Sequence, residues 1–310
     1  MKRFKNILLV HDSGESGQST LSRAIDLARC NQARLTVIQV IGKIPRDYQM
    51  LITSVTSEEI MKLASKEYTL RLEREVAHFP DTSHVTCKIL VGREFIEIIK
   101  EVLRNKHDLV IKTVRGMGGK LGMLFGSTAM HLLRKCPCPV WLIKPGQAQC
   151  FHRIMAAVDV APMESKETAL NTKIMGLASS LSRMDKSELH IVHAWKWVSP
   201  DAQLKTLKSP VDIRGQIKKM RIDWLKDLLH QSNLQHLPHQ EHIVEGTADE
   251  VIPKLVHQHQ IDLVVMGTVC RAGIPGFFIG NTAEKILYSL DCSVLAVKPD
   301  GFISPVQLDT

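Results

Sequence analysis

No run of about 18 uncharged apolar residues occurs anywhere in the 310-residue chain, which excludes a membrane-spanning helix. The first residues are charged, but the apolar stretch behind them is only Ile7–Val10, too short for a secretory leader. Disulfide architecture is missing as well. The seven cysteines (Cys30, Cys87, Cys136, Cys138, Cys150, Cys270 and Cys292) are odd in number and scattered, as expected of reduced thiols in the cytoplasm. Common catalytic signatures are also absent. No G-x-S-x-G elbow and no H-E-x-x-H pair occur, no GxGxxG follows the first strand, and Gly119-Lys120 is followed by Leu121 where a Walker A loop needs Ser or Thr. Hydride transfer from a dinucleotide and P-loop chemistry are thereby disfavoured.

What is present is ordinary globular composition, 44% hydrophobic and 23% charged, at a length suited to two domains. Charge is uneven. Residues 1–150 hold 23 Lys and Arg against 14 Asp and Glu, and the remainder is nearly balanced, for a net +8. A basic half attracts anions, but charge alone makes a weak case for nucleic acid, and none is expected as a partner.

An internal repeat organises the chain. Residues 92–145 align without a gap on 246–299, with 17 identities in 54 positions, including Asp108/Asp262, Gly126/Gly280, Cys138/Cys292 and Lys144-Pro145/Lys298-Pro299. The segment near Lys5–Asp12 similarly matches Arg153–Asp159. A repeat this long is a domain, so the chain reads as a tandem duplication with domains 1–147 and 151–310 and a boundary near Gly146–Cys150. Within each copy, apolar runs such as Ile7–Val10 and Leu263–Met266 alternate with helical stripes such as Ile96, Ile99, Val102 and Leu103. Five strands and four helices per copy predict an α/β fold: two five-stranded parallel sheets with right-handed crossovers and helices on both faces. The first helix is expected over Ser19–Cys30.

In such folds ligands bind beyond the carboxyl ends of the strands, where strand order reverses. There, after the fourth strand, five glycines (Gly116, Gly118, Gly119, Gly122, Gly126) fall in eleven residues before a helix that Ser127 or Thr128 is expected to cap. Free amides at a helix start favour phosphate. The second copy repeats the layout from Gly267 through Cys270 to Gly280, with Asn281 as its capping residue. Taken singly, a glycine-rich loop is also what a plain surface loop contains.

Taken together, these features resemble the universal stress protein family, in its tandem form, over essentially the whole chain. ATP-binding members carry G-x2-G-x9-G-[S/T] after the fourth strand and an Asp at the end of the first. This chain has Thr113-x2-Gly116-x9-Gly126-Ser127 with Asp12, and Gly267-x2-Cys270-x9-Gly280-Asn281 with Asp159. The resemblance implies a Rossmann-like fold of the adenine nucleotide alpha hydrolase type, with ATP, with or without Mg2+, as ligand. It implies that Gly116, Gly126 and Ser127 hold the phosphates, with Asp12 near the adenosine and Val40 near the base. Asp159, Ala194, Gly267, Gly280 and Asn281 are the counterparts. Thr113 and Cys270 place a β-carbon where the family prefers glycine, which costs on the order of 1–2 kcal/mol if φ is positive there. Lys112, Arg115 and Lys120 tip the expectation toward the first copy.

The resemblance further implies a cytoplasmic nucleotide sensor acting through unidentified protein partners, at most a slow ATPase or self-phosphorylating protein. It also implies pairing of the fifth strands, Val140–Ile143 and Val294–Val297, between the copies, with other surfaces left for homodimerisation. The rival reading is a degenerate pair of pockets for a lipid-like or other anion, or for protein docking alone. Cys136-Pro137-Cys138 reads as packing, because its spacing is not that of zinc or thioredoxin-like motifs. His190 and His193, three apart on a strand, point to opposite faces, whereas His239 and His242 are expected to approach one another. No metal is expected. His11 beside Asp12 reads as a core or rim histidine.

Overall fold

The computed structural model describes residues 3–43, 56–114, 125–147, 150–160, 165–197, 213–234, 236–268 and 279–308. In the first copy the strands are β1 (Asn6–Val10), β2 (Arg34–Ile41), β3 (Val85–Val91), β4 (Leu109–Thr113) and β5 (Val140–Ile143). Between them run α1 (Glu15–Asn31), α2 (Ser57–Ala77), α3 (Glu94–Asn105) and α4 (Ser127–Lys135). The second copy has β6 (Arg153–Ala157), β7 (Glu188–Trp195), β8 (His239–Glu245), β9 (Leu263–Gly267) and β10 (Ser293–Val297). Its helices are α5 (Ser165–Asp185), α6 (Ile213–Gln231), α7 (Ala248–Gln258) and α8 (Asn281–Ser289).

The two expected five-stranded sheets are fused into one. Strand order is β3-β2-β1-β4-β5-β10-β9-β6-β7-β8, parallel within each copy and antiparallel only where β5 meets β10. The register there sets Leu142 opposite Val294 and Val140 opposite Ala296. β1, β4, β5 and β10 are buried along their whole length, each built on a run of three or four apolar residues, with the polar ends of β4, Lys112 and Thr113, buried as well. Among the described residues, β3 and β8 form the sheet edges, and both are partly exposed.

Each face of the sheet carries one core that spans both copies. Leu21, Leu72, Ile174 and Leu225, from α1, α2, α5 and α6, share the first core. Phe95, Leu132, Val251 and Ile286, from α3, α4, α7 and α8, share the second. Polar contacts also tie the copies together. Arg23 on α1 donates two hydrogen bonds to Asp185 at the end of α5, at 2.7 and 2.6 Å, with both side chains buried. On the opposite face Arg134 of α4 pairs with Glu284 of α8.

α1 begins four residues before its expected start. Gly14, at φ 110°, turns the chain and supplies the first carbonyl of the ladder, accepting from the Gln18 amide at 3.0 Å. Within that extra turn, Gly17 lies against the backbone at the end of β1. A β-carbon there would stand 1.6 Å from the carbonyl oxygen of Asp12. Gly17→Ala is therefore expected to push α1 off the strand end and lower stability by about 1–3 kcal/mol. Urea unfolding checks this, and an unchanged midpoint would show that the strand end yields freely.

Candidate functional site

The reversal of strand order falls between β1 and β4 in the first copy and between β6 and β9 in the second. In the first copy, Val10 and Lys112 lie opposite one another at the carboxyl ends of β1 and β4. The Lys112 ammonium, almost fully buried, reaches Asp12 Oδ2 at 3.0 Å and Glu94 Oε1 at 2.9 Å. Thr128 on α4 donates to the other Glu94 oxygen at 2.7 Å. One lysine thus ties the strand end to the starts of α3 and α4. The charge expected to favour a phosphate is already taken up by two carboxylates.

The second copy is built differently at the same place. Met266, buried, occupies the position of Lys112, and Ala248 that of Glu94. The Asp159 side chain is 48% exposed, against 18% for Asp12. Its backbone is held by Asn171 of α5, which accepts from the Asp159 amide at 3.1 Å and donates to its carbonyl at 2.8 Å. His193 of β7 stands 3.8 Å from Asp159. Its Nδ1 lies 3.3 Å from the Val158 carbonyl and its Nε2 accepts from Arg221 of α6 at 3.1 Å. Burial first, and then the Arg221 charge, push this imidazole down to about 4 and keep it neutral, against the opposing pull of the Val158 carbonyl.

Val40 and Ala194 occupy matching places near the ends of β2 and β7, both partly buried against the second core. Gly126 and Gly280 are the residues that start α4 and α8, at φ −60° and −65°. The expected capping is corrected. Ser127 and Asn281 are already the first helical residues and lie exposed, while neither helix start receives a side-chain cap. Thr128, the other candidate cap, turns to Glu94 instead. At α8 the Gly280 amide is taken by the Thr268 carbonyl at 3.0 Å, so only amides further into the first turn are candidates for a ligand there.

Thr113 overturns the expectation of strain. It closes β4 in extended conformation, buried, with its hydroxyl 2.8 Å from that of Thr20 on α1. Gly267, its counterpart, ends β9 without positive φ, and a β-carbon there would approach Leu170 at 3.0 Å. Gly116, Gly118, Gly119, Gly122, Arg115, Lys120 and Cys270 lie outside the described residues.

His11 and Asp12 engage different partners: His11 Nε2 lies 2.7 Å from Glu75 of α2, while Asp12 meets Lys112. His190 and His193 do face opposite ways. His190 Nδ1 lies 3.0 Å from His242 Nε2, and His259 tilts against both rings. His239 does not join His242. It turns to the Leu237 carbonyl and to Glu241. Among the described residues, no three His, Cys, Asp or Glu side chains are arranged to hold a metal ion, and no helix is long and apolar enough to cross a membrane.

The family model described as "Universal stress protein family" matches residues 3–144 and again 151–298. The chain belongs to the universal stress protein family. It is 28% identical to universal stress protein E of Escherichia coli K12 over 314 aligned positions, covering all of this chain and 98% of that protein. The same identity holds for universal stress protein E of Photorhabdus laumondii, with 99% of each chain covered. Among solved structures, a universal stress protein from Archaeoglobus fulgidus superposes with a TM-score of 0.61 over 94% of this chain and 98% of its own, at 17% identity. A functionally unknown protein from Pseudomonas aeruginosa PAO1 reaches 0.71 at 24% identity, over 97% and 95%. The family and its α/β tandem architecture follow from these matches.

The difference between the two strand ends was written in the repeat itself. Aligning the copies sets Lys112 against Met266 and Glu94 against Ala248, but only the folded arrangement shows that these positions meet Asp12.

Proposed function

We propose that this stress protein binds an adenine nucleotide, ATP, at the second copy, with the first copy's equivalent site closed by its own lysine. The observation that carries the reading is the Asp12–Lys112–Glu94 bridge, which has Met266 and Ala248 in place of its last two members in the second copy. A nucleotide entering the first copy would have to break an ion-pair network built on a nearly buried lysine. One entering the second meets an exposed aspartate and the uncapped amino end of α8, a favourable place for phosphate. Regulation through protein partners belongs to the same proposal.

Calorimetric titration with ATP, with and without Mg2+, tests it. One site per chain is expected. Gly280 sits at a φ any residue adopts, so Gly280→Ala is compatible with that backbone angle and adds a methyl group at the residue that starts α8. Affinity should fall at least tenfold, equivalent to about 1.4 kcal/mol. Gly126→Ala, whose added carbon meets nothing within 4 Å, should leave binding unchanged. The double replacement Lys112→Met/Glu94→Ala should raise the stoichiometry to two. No heat and no thermal shift at millimolar ATP would overturn the reading, and sensitivity to Gly126→Ala alone would reassign it to the first copy.

A further inference from the structure

The seam between the copies breaks the repeat at one place. By the pseudo-twofold that pairs β5 with β10, Lys144 and Lys298 are equivalent. Lys144 reaches across the seam to the Asp291 carboxylate at 2.7 Å, partly exposed. The position equivalent to Asp291 in the first copy is Pro137, so Lys298 crosses the seam and finds no carboxylate there. Its ammonium is 2% exposed and donates to the Leu133 carbonyl at 2.5 Å and to the Thr268 hydroxyl at 3.3 Å. Two cysteines flank Pro137. Cys136 and Cys138 are free and buried, with sulfurs 3.6 Å apart. Cys136 is the departure from the repeat, since its counterpart is Leu290.

We propose that Cys136 and Cys138, set against Lys298 of the other copy, form a thiol oxidation site at which a hydroperoxide converts the pair to an intramolecular disulfide. A thiol pair packed only as filler needs neither the second sulfur nor a buried cation beside it. Here the cation is held by the Leu133 carbonyl, the Thr268 hydroxyl and the face of Phe302 at 4.5 Å, and its charge favours an anion at Cys136. Burial opposes ionisation of Cys136, but the S–H of Cys138, the backbone amide there and the Lys298 charge together lower it below an ordinary thiol. Burial pushes Lys298 down to about 8, and the two thiols pull it back. Cys138 goes the other way: its hydrogen bond to Cys136, and then burial, raise it well above an ordinary thiol, so the pair favours the anion on Cys136 and the proton on Cys138.

Access to Cys136 is past Cys138, which lines a cavity of about 340 Å3 together with Arg3, His107, Asp108, Pro137 and Lys173. A peroxide is small enough to enter it. The thiolate sulfur attacks the peroxide oxygen; the O–O bond breaks, and the departing oxygen takes up a proton as water or alcohol. The second thiol then attacks the sulfenic sulfur, forming the S–S bond and releasing the hydroxyl, with the thiol proton, as water. Two thiols and one hydroperoxide thus give one disulfide, one alcohol or water, and one further water. Closing the pair requires the sulfurs to approach by about 1.5 Å.

The test uses the full chain and hydrogen peroxide, with acid quenching, alkylation in denaturant and peptide mass spectrometry. The expected result is a peptide spanning Cys136 and Cys138 that has lost two hydrogens and resists alkylation until reduced with dithiothreitol. Cys136→Ser and Cys138→Ser should each abolish that species. The rate should rise with pH to a midpoint below that of a free thiol, and Lys298→Met should slow it at least tenfold and move the midpoint up. Circular dichroism confirms that the variant folds, and the wild-type result decides the matter if it does not. The proposal is overturned if the pair stays alkylatable at peroxide levels that oxidise the exposed Cys30 and Cys150, or if a folded Lys298→Met oxidises with unchanged rate and midpoint.

Discussion

Replacing Asp185 with alanine is expected to lower the unfolding free energy by about 3–5 kcal/mol. Asp185 accepts both terminal nitrogens of Arg23 and, at 3.2 Å, the Phe151 amide, all in a region from which water is excluded. The guanidinium also lies 5.3 and 5.4 Å from the rings of Trp141 and Phe151, so it cannot swing out to solvent without emptying that layer. Removing the carboxylate strands a cation at 4% exposure. Much of the loss comes from that stranded charge. Removing both charges, as Arg23→Met/Asp185→Leu, should therefore recover most of it. Urea unfolding measures both, with an unchanged slope of free energy against urea as the sign that only stability has moved. A single-variant loss below about 1 kcal/mol would place the pair with exposed ion pairs and remove it as a clamp between the copies.

Acid is expected to weaken the fold as pH falls below about 6.5, with His193 of the second copy as the main contributor. His193 is held neutral in the fold at about 4, while the unfolded chain binds its proton near 6.5. The unfolded state therefore binds more protons between those values, and stability falls as pH drops from 6.5 toward 4. The shift corresponds to a loss on the order of 3 kcal/mol from this side chain. His242, pushed by burial and then by His190 and His259 to about 4, loses its contribution over the same window. In the first copy, Glu101 is held at about 2 by His107, with Lys88 also opposing the burial that would raise it. A lowered carboxylate stabilises the fold above its ordinary range and loses that contribution as pH falls from 4.5 toward 2. Urea unfolding at pH 7.5 and 4.5 should show a large loss in the wild type and a smaller one in His193→Gln. Equal losses in the two proteins would show that His193 is not the group responsible.

Much of the fold was legible because duplication prints the same pattern twice. Unbroken apolar runs such as Ile7–Val10 and Leu263–Met266 mark strands covered on both faces, and the observed strands contain them. The start of α1 was not legible, because the helical apolar period begins only at Leu21 while the true start depends on the positive φ of Gly14. Thr113 looked like a strained substitution only because the resemblance sets it where the family prefers glycine. As the last residue of β4 it needs no unusual backbone, and its hydroxyl is satisfied by Thr20. Lys112 was misjudged for a related reason. Sequence shows a positive charge near a phosphate loop, but the two carboxylates that neutralise it come from elements 100 residues and 18 residues away. Pro137 opposite Lys298 was hidden in the same way, since the consequence of losing an aspartate there appears only across the β5–β10 seam.

The antiparallel join of β5 to β10 has a directional consequence. All strands of the first copy point one way along the sheet and all strands of the second point the other, so their carboxyl ends lie on opposite rims. The two mouths therefore look away from each other. A flat partner resting on one rim cannot touch the other, and anything that reads one mouth leaves its counterpart open to solvent or to a different partner. With both halves on one chain, no symmetry forces the two rims to present the same chemistry, and the chain can offer two unlike surfaces at its two ends.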